Sequence, residues 1–155
     1  MEIVAYKPTY AAIFKTLNIA WLEKYFYVEP HDEEVLSNPD TYIIEPGGHI
    51  FFAIEQDIVM GTVALIPMPE SNCFELSKMA VDPSFQGKGI GQKLMAYCIA
   101  FAKANTFHKL VLYSNTKLEN AIYIYQKWGF VEIPLEPDNI YERGNIKMEI
   151  DFLSP

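Results

Sequence analysis

Residues 81–92, VDPSFQGKGIGQ, place three glycines and a lysine between an apolar run and a long amphipathic segment. Glycine weakens a helix that is about to begin, so its repetition here needs a reason. A glycine-rich turn between a strand and a helix directs unpaired backbone N–H groups at an anion, and the helix dipole favours negative charge there. The stretch therefore predicts an anion site at the start of a helix.

Two familiar phosphate-binding motifs do not fit this turn. The P-loop requires Ser or Thr after its lysine, whereas Lys88 is followed by Gly89. The dinucleotide fingerprint requires a third glycine where Gln92 stands. The pattern that remains is Gln86-x-x-Gly89-x-Gly91, for which a turn that only packs helix against strand is the alternative interpretation.

The composition of this 155-residue chain is that of an ordinary globular protein, with 50% hydrophobic residues. The length suits one domain and no repeat or linker divides it, so we expect a single domain over residues 1–155. A formal net charge of −8 disfavours a nucleic-acid partner or an anionic membrane, because both require a basic surface. A cationic substrate is compatible with that charge.

The two cysteines and three histidines show no metal-ligand spacing, so we expect no metal site. Cys73 and Cys98 lie in apolar surroundings, as reduced thiols do in the cytoplasm. No apolar run reaches transmembrane length, and the N-terminus lacks a signal pattern. These features predict a soluble, cytoplasmic protein.

Hydrophobic periodicity predicts the element order β-α-α-β-β-β-α-β-α-β-β, which indicates a mixed α/β sheet with packed helices. Strands are expected at residues 3–6, 50–54, 59–67, 74–81, 110–113, 131–134 and 146–152. Helices are expected at residues 8–22, 31–36 and 89–104, and around 121–125, where Gly129 suits a C-terminal cap.

Two segments resemble the GNAT superfamily of acetyl-CoA-dependent N-acetyltransferases: residues 76–95, LSKMAVDPSFQGKGIGQKLM, and 112–130, LYSNTKLENAIYIYQKWGF. The second makes the resemblance specific through Ala-Ile-x-x-Tyr-x-x-x-Gly-Phe. The resemblance is strong over the second half of the chain, and the first half agrees in outline. It implies a mostly antiparallel central sheet with helices on both faces. It also implies direct acetyl transfer from acetyl-CoA to a primary amine of a small molecule or peptide.

The resemblance further implies that backbone amides of the turn hold the pyrophosphate of acetyl-CoA, and that the end of the preceding strand holds its pantetheine arm. The matching cofactor-binding positions are Met79, Ala80, Val81, Gln86, Gly87, Lys88, Gly89, Ile90, Gly91, Gln92 and Asn115. Core packing of Met79 and Val81 and simple capping by Asn115 are the alternatives. The usual family asparagine, three residues before the alanine, is Leu118 here.

Two residues are the catalytic candidates. Tyr125 matches the family tyrosine, a phenol that can protonate the departing thiolate; a tyrosine packed in the core is the alternative. Glu75 is the candidate base, because strand alternation places it on one face with Ser77, Met79 and Val81, towards the expected cleft. A solvated carboxylate is the alternative for Glu75, since glutamate is mostly exposed.

The acceptor pocket in this fold is usually walled by the first two helices and the last hairpin. An aromatic and acidic patch there suits a cation: Trp21, Tyr25, Phe26, Glu29, Asp32 and Glu33. Arg143 suits a substrate carboxylate, with Tyr141 nearby. Helix packing and a surface salt bridge are the alternatives. A non-catalytic acyl-CoA sensor and a purely structural domain are competing functions. A homodimer through sheet edges or the first helix is compatible with the sequence.

Overall fold

The computed structural model describes residues 1–138 and 142–153 and places them in an α/β fold. The strands of these residues are β1 (Glu2–Ala5), β2 (His49–Glu55), β3 (Ile58–Pro67), β4 (Cys73–Val81), β5 (Lys109–Ser114), β6 (Val131–Ile133) and β7 (Ile146–Asp151). The α-helices are α1 (Ala11–Tyr25), α2 (Pro30–Ser37), α3 (Ile90–Ala104) and α4 (Glu119–Lys127). This order of strands and α-helices confirms the predicted one.

The described strands form one sheet in the order β1-β2-β3-β4-β5-β7-β6. Neighbours are antiparallel except β4 and β5, which run parallel. The chain connects this parallel pair through α3, as a parallel pair requires a crossover. β7 follows the other described strands in sequence but lies inside the sheet, between β5 and β6. The expected mostly antiparallel mixed sheet is confirmed.

Helices cover both faces of this sheet. On one face, a core that includes Phe14 of α1, Leu36 of α2 and Phe52 of β2 is closed to solvent. On the other face, Leu94 and Cys98 of α3 pack on the strands, and α4 adds partly buried side chains to that layer. Truncating a fully buried side chain such as Phe14 to Ala typically costs about 3–5 kcal/mol. Two packed layers therefore hold the sheet on which the site is built.

Local signals set the ends of these elements. Gln56 and Asp57 join β2 to β3 with φ of 51° and 64°, the left-handed conformation that a two-residue hairpin turn requires. A capping box between Glu29 and Asp32 begins α2. A π-helix over Asp40–Ile44, which periodicity did not predict, leads into β2. In the described part of the chain, no helix is both long and apolar enough to cross a membrane.

Candidate active site

A cleft opens in the sheet between β4 and β5. The two strands pair only where residues 73–75 meet residues 109–111. Beyond Glu75, β4 continues to Val81 and β5 to Ser114, and among the described strands they no longer pair with each other. The β4 edge therefore presents backbone N–H and C=O groups to whatever enters the gap. A cavity of about 490 Å³ lies there, a size typical of small-molecule sites.

The glycine-rich turn forms one end of this cavity. Gly87 and Gly89 have φ of 81° and 74°, a left-handed conformation that favours glycine. A Cβ built on either residue meets nothing within 4 Å, so both face open space rather than a packed neighbour. No side chain caps the N-terminus of α3, which leaves its first N–H groups to the cavity. These features suit an anion more than a purely structural turn.

A β-bulge in β4 separates Glu75 and Ser77 from Met79 and Val81, which strand alternation had predicted on one face of the sheet. Thr62 pairs with Ala80 and Ala64 with Ser77, so three residues of β3 span four of β4. Lys78, at the bulge, has a φ of 54°. The extra residue shifts the alternation of side chains along the rest of the strand.

The two parts of β4 consequently face different helices. Glu75 pairs with Ile66, which packs on the α1–α2 side of the sheet. Met79 and Val81 pack on the α3 side, 3.8 and 3.9 Å from a Cβ built on Gly91. The prediction that Glu75, Ser77, Met79 and Val81 share one face is therefore wrong, because alternation alone cannot reveal a bulge. Glu75 still lines the cavity, as does every residue from 75 to 81.

Glu75 is partly buried at the cavity wall. Burial raises the pKa of its carboxyl group, while the positive charge of Lys78 and a hydrogen bond with Ser77 act in the opposite direction. A carboxylate with a raised pKa is a stronger proton acceptor than an ordinary one. The environment of Glu75 is therefore suited to a base, and not that of a fully solvated carboxylate.

Tyr125 lines the cavity from α4. Its ring centroid lies 6.0 Å from that of Phe130 in an edge-to-face arrangement. Burial raises the pKa of the phenol, and a hydrogen bond with Ser114 opposes that rise. A phenol with a raised pKa keeps its proton at neutral pH, so Tyr125 has a proton to donate. Packing and proton donation are compatible at this position.

A buried network of charges adjoins the cavity. Arg143 donates to both carboxylate oxygens of Asp32, at 2.7 and 2.9 Å, and to Glu29 at 2.9 Å. The Nζ of Lys78 donates to Oδ1 of Asp32 at 3.2 Å. Burial would raise the pKa of the Asp32 carboxyl group, but Arg143 and Lys78 hold it below its ordinary value. Arg143 is thus engaged inside the protein rather than in a surface salt bridge.

Sequence reasoning placed Glu29 and Asp32 in an acidic patch suited to a cation, but it did not pair them with Arg143 or Lys78. Asp32 fits a solvated first turn of a helix, yet its side chain is fully buried. One signal was available: Lys78 interrupts an otherwise apolar strand, and a buried lysine needs a partner. Its partner is 46 residues away in the chain, so only the fold could identify Asp32.

Most other predicted site residues also lie at this cavity. Those not yet placed there are Trp21, Gln86, Ile90, Gly91, Gln92, Asn115 and Arg143. Two predicted residues do not line it: Lys88 lies 5.5 Å over the Phe85 ring, and Tyr25 packs against Trp21 with ring centroids 5.2 Å apart. Tyr141 is outside the described residues.

Asn115 has its polar atoms occupied within the protein. Its Nδ2 donates to the Arg143 carbonyl at 2.7 Å, and its Oδ1 accepts from the Lys117 backbone N–H at 2.9 Å. The second contact is the local turn that asparagine commonly forms. Asn115 therefore shapes the cavity wall through the turn after β5, whichever ligand the cavity holds.

Lys117 joins the two walls of the cleft. From the turn before α4, its Nζ donates to the Tyr25 carbonyl at 2.9 Å, at the C-terminus of α1. The same ammonium lies 4.0 Å from the centroid of the Phe26 ring. A cation is favourable both at a helix C-terminus and over an aromatic face. No local pattern indicated this bridge, since Lys117 and Tyr25 are 92 residues apart.

Metal and thiol chemistry find no support in the described residues. Within 1–138 and 142–153, no group of three or more His, Cys, Asp or Glu side chains could hold a metal ion. Cys73 and Cys98 are free and buried. Burial raises the pKa of the Cys98 thiol to about 12, which leaves it protonated and unreactive at neutral pH.

The family model described as "Acetyltransferase (GNAT) family" matches residues 13–130. Solved structures share the fold over 97% of this chain. A GNAT acetyltransferase from Staphylococcus aureus Mu50 has a TM-score of 0.83 at 23% identity, and the match covers 98% of that chain. A spermidine N-acetyltransferase SpeG chimera from Vibrio cholerae and hSSAT has a TM-score of 0.74 at 20% identity, with 96% covered. The chain belongs to the acetyltransferase (GNAT) family, which confirms the class that its sequence motifs indicated.

The curated relatives include N-acetylaspartate synthetases and proteins named as N-acetyltransferases. A zebrafish (Danio rerio) N-acetylaspartate synthetase is 33% identical over 96 residues, which cover 61% of this chain and 34% of that protein. The uncharacterized N-acetyltransferase YjgM of Escherichia coli is 30% identical over 89 residues, covering 56% of this chain and 53% of that protein. The chain thus spans about a third of the length of the first relative and about half of the second.

Proposed function

We propose that this chain is an enzyme that transfers an acetyl group from acetyl-CoA directly to a primary amine of a small molecule or peptide. One observation carries the proposal: the gap between β4 and β5 brings Glu75, Tyr125 and the glycine-rich turn to a single cavity. A proton acceptor, a proton donor and an anion cradle around one cavity suit acyl transfer between two bound substrates. Family membership supports the same reaction class.

The cofactor end of the cavity fits coenzyme A. The uncapped N–H groups of α3 and the open space at Gly87 and Gly89 suit a pyrophosphate. The backbone of Met79, Ala80 and Val81, left without a β5 partner, suits the amide groups of a pantetheine arm. One of these N–H groups would also stabilise negative charge on the acetyl oxygen. Acetyl-CoA supplies the activated thioester.

The proposed chemistry assigns one proton transfer to each titratable candidate. Glu75 accepts a proton from the acceptor amine, whose nitrogen forms the new bond to the acetyl carbon. The carbon–sulfur bond breaks, and Tyr125 gives its proton to the leaving sulfur. The raised pKa of Glu75 makes it a stronger proton acceptor once ionised, and the raised pKa of Tyr125 keeps its phenol protonated before transfer. No covalent intermediate with the protein is required.

The acceptor end is bounded by α1, β4 and the segment before β7. Trp21 and Arg143 line the cavity, and Tyr25 packs against Trp21. The relatives named N-acetylaspartate synthetase and spermidine N-acetyltransferase illustrate two acceptor chemistries, an amino acid and a polyamine. A cytoplasmic location, a homodimer and a single domain over residues 1–155 are predictions from the sequence that we retain.

Calorimetry with acetyl-CoA, followed by thiol release from the same sample across a panel of amines, tests the proposal. Binding with release for at least one amine supports it; no binding of acetyl-CoA overturns it. Binding without release from any amine would replace it with the alternative of an acyl-CoA sensor.

A matched pair of variants assigns that binding to the turn. Gly89→Ala forces a Cβ into left-handed backbone at the turn, and Gly47→Ala does the same at φ 105° in a turn outside the cavity. The strain is about 1–2 kcal/mol in each variant, so stability should fall similarly. We expect only Gly89→Ala to weaken acetyl-CoA binding, by about tenfold or more. Equal affinities in both variants would refute the pyrophosphate assignment.

A further inference from the structure

The charged side chains at the acceptor end carry information about the acceptor itself. Among the described residues, the charged side chains that line the cavity are Glu75, Lys78 and Arg143. Both cations are committed to the protein's own carboxylates: Arg143 to Asp32 and Glu29, and Lys78 to Asp32. Two cations thus face two carboxylates, and their charges balance before Glu75 is counted.

A carboxylate on the acceptor would bind unfavourably in this site. It would lose its hydration, and neither cation could pair with it without weakening a buried ion pair that excludes solvent. Asp32 is fully buried, so an Asp32 charge that lost its partners could not be compensated by water. Ionised Glu75 would add repulsion between like charges.

An acceptor whose only charge is its ammonium group meets the opposite conditions. Glu75 attracts it and is also the proposed proton acceptor, so the same contact positions and deprotonates the amine. Trp21 adds an aromatic wall, with its ring centroid 5.7 Å from that of Phe26, and such surfaces attract cations and apolar groups.

We infer, on the basis of the proposed function, that the acceptor is an amine without a carboxylate on the carbon next to nitrogen, and that Glu29 and Asp32 set this preference by neutralising Arg143 and Lys78. This acceptor preference would differ from that of the relatives named N-acetylaspartate synthetase, whose name indicates an amino acid as acceptor.

Matched acceptors test the preference. Several amino acids, including phenylalanine and aspartate, are compared with their carboxamides and with the corresponding decarboxylated amines. The kcat/KM for thiol release is measured over a range of pH, so that the fraction of neutral amine can be divided out. We expect kcat/KM for the amines and amides to exceed that for the amino acids by about tenfold or more, because an unpaired carboxylate that costs about 1.4 kcal/mol lowers kcat/KM tenfold. Equal or better use of the amino acids would overturn the inference.

Binding measurements keep this test separate from that of the proposed function. If acetyl-CoA binds but no acceptor reacts, the proposed transfer fails, and calorimetry with the same acceptors in the presence of CoA decides the preference. Tighter binding of the amines supports the inference. Tighter binding of the amino acids, or binding of neither class, overturns it.

A charge-matched pair of variants then identifies the residues. Glu29→Gln removes one of the two carboxylates that neutralise Arg143, so relative use of the amino acids should rise about tenfold. Glu33→Gln removes the same charge from α2, but Glu33 is exposed and paired with Lys15 away from the cavity. Its selectivity should stay that of the unmodified protein. Identical selectivity in both variants would remove Glu29 from the inference.

Discussion

Replacing Arg143 with Gln tests whether the charge network stabilises the fold as well as the site. The variant removes three hydrogen bonds of 2.7–2.9 Å to Asp32 and Glu29 and leaves Asp32 with Lys78 as its charged partner. Breaking a buried ion pair by deleting one member typically costs about 3–5 kcal/mol. Because Arg143 retains 16% side-chain exposure, we expect the lower end, about 3 kcal/mol.

Urea unfolding followed by circular dichroism gives this change in the free energy of unfolding. For a chain of this size, about 3 kcal/mol corresponds to a fall in Tm of roughly 6–12 °C. Glu33→Gln provides the control, because it breaks an ion pair with the same 2.9 Å distance between exposed side chains. Its Tm should change far less. Equal Tm shifts in the two variants would refute the argument that burial gives the network its effect.

The pH dependence provides an independent check on Arg143→Gln. The pKa of Asp32 is lowered in the folded state, so its contribution to stability is present above the unfolded pKa and is lost as pH falls through the folded pKa. The variant lacks most of that contribution. The difference in stability between the two proteins should be largest at neutral pH and shrink below about 3.8, the ordinary Asp value. A difference that is constant with pH would contradict the assigned role of Asp32.

Three further predictions concern turnover. Tyr125→Phe should lower kcat about tenfold or more while calorimetry shows unchanged acetyl-CoA affinity; normal kcat would exclude Tyr125 as the acid. Glu75→Gln should flatten the rising limb of the pH–rate profile, which we expect above pH 4.5 because burial raises the pKa of Glu75; an unaltered profile would exclude it as the base. Lys117→Met keeps the apolar stem but loses the hydrogen bond to the Tyr25 carbonyl, so KM for the acceptor should rise several-fold with acetyl-CoA affinity unchanged. The control is Lys127→Met in α4, which is outside the cavity lining and should change neither quantity.

The sequence predicted the element order and the position of the glycine-rich turn because both depend on local pattern. Apolar spacing identified the helices, and turn residues such as Gln56 and Asp57 marked the hairpin. The turn after β4 was visible because its glycines are needed for left-handed backbone at Gly87 and Gly89.

The features that the sequence did not predict depend on contacts between distant residues. The bulge at Lys78 adds one residue to a strand whose apolar pattern looks regular. Alternation therefore predicted the wrong face of the sheet for the Met79 side chain. Asp32 looks like an ordinary helix-start residue until Arg143, 111 positions later, is placed beside it. Lys117 looks like a solvated loop lysine until α1 ends next to it. Such pairs satisfy burial and charge in space and leave no local signal.

The position of β7 inside the sheet has a consequence for how the protein is made. During synthesis, β5 and β6 leave the ribosome before the strand that lies between them, so the nascent chain has an open β5 edge and an unpaired β6. Exposed strand edges invite pairing with other chains. Arg143 also emerges late, and Asp32 and Glu29 lack this cation until then. One late step therefore completes the sheet, neutralises Asp32 and Glu29 and closes the acceptor wall. A nascent chain paused before Ile146 would be the form most exposed to aggregation.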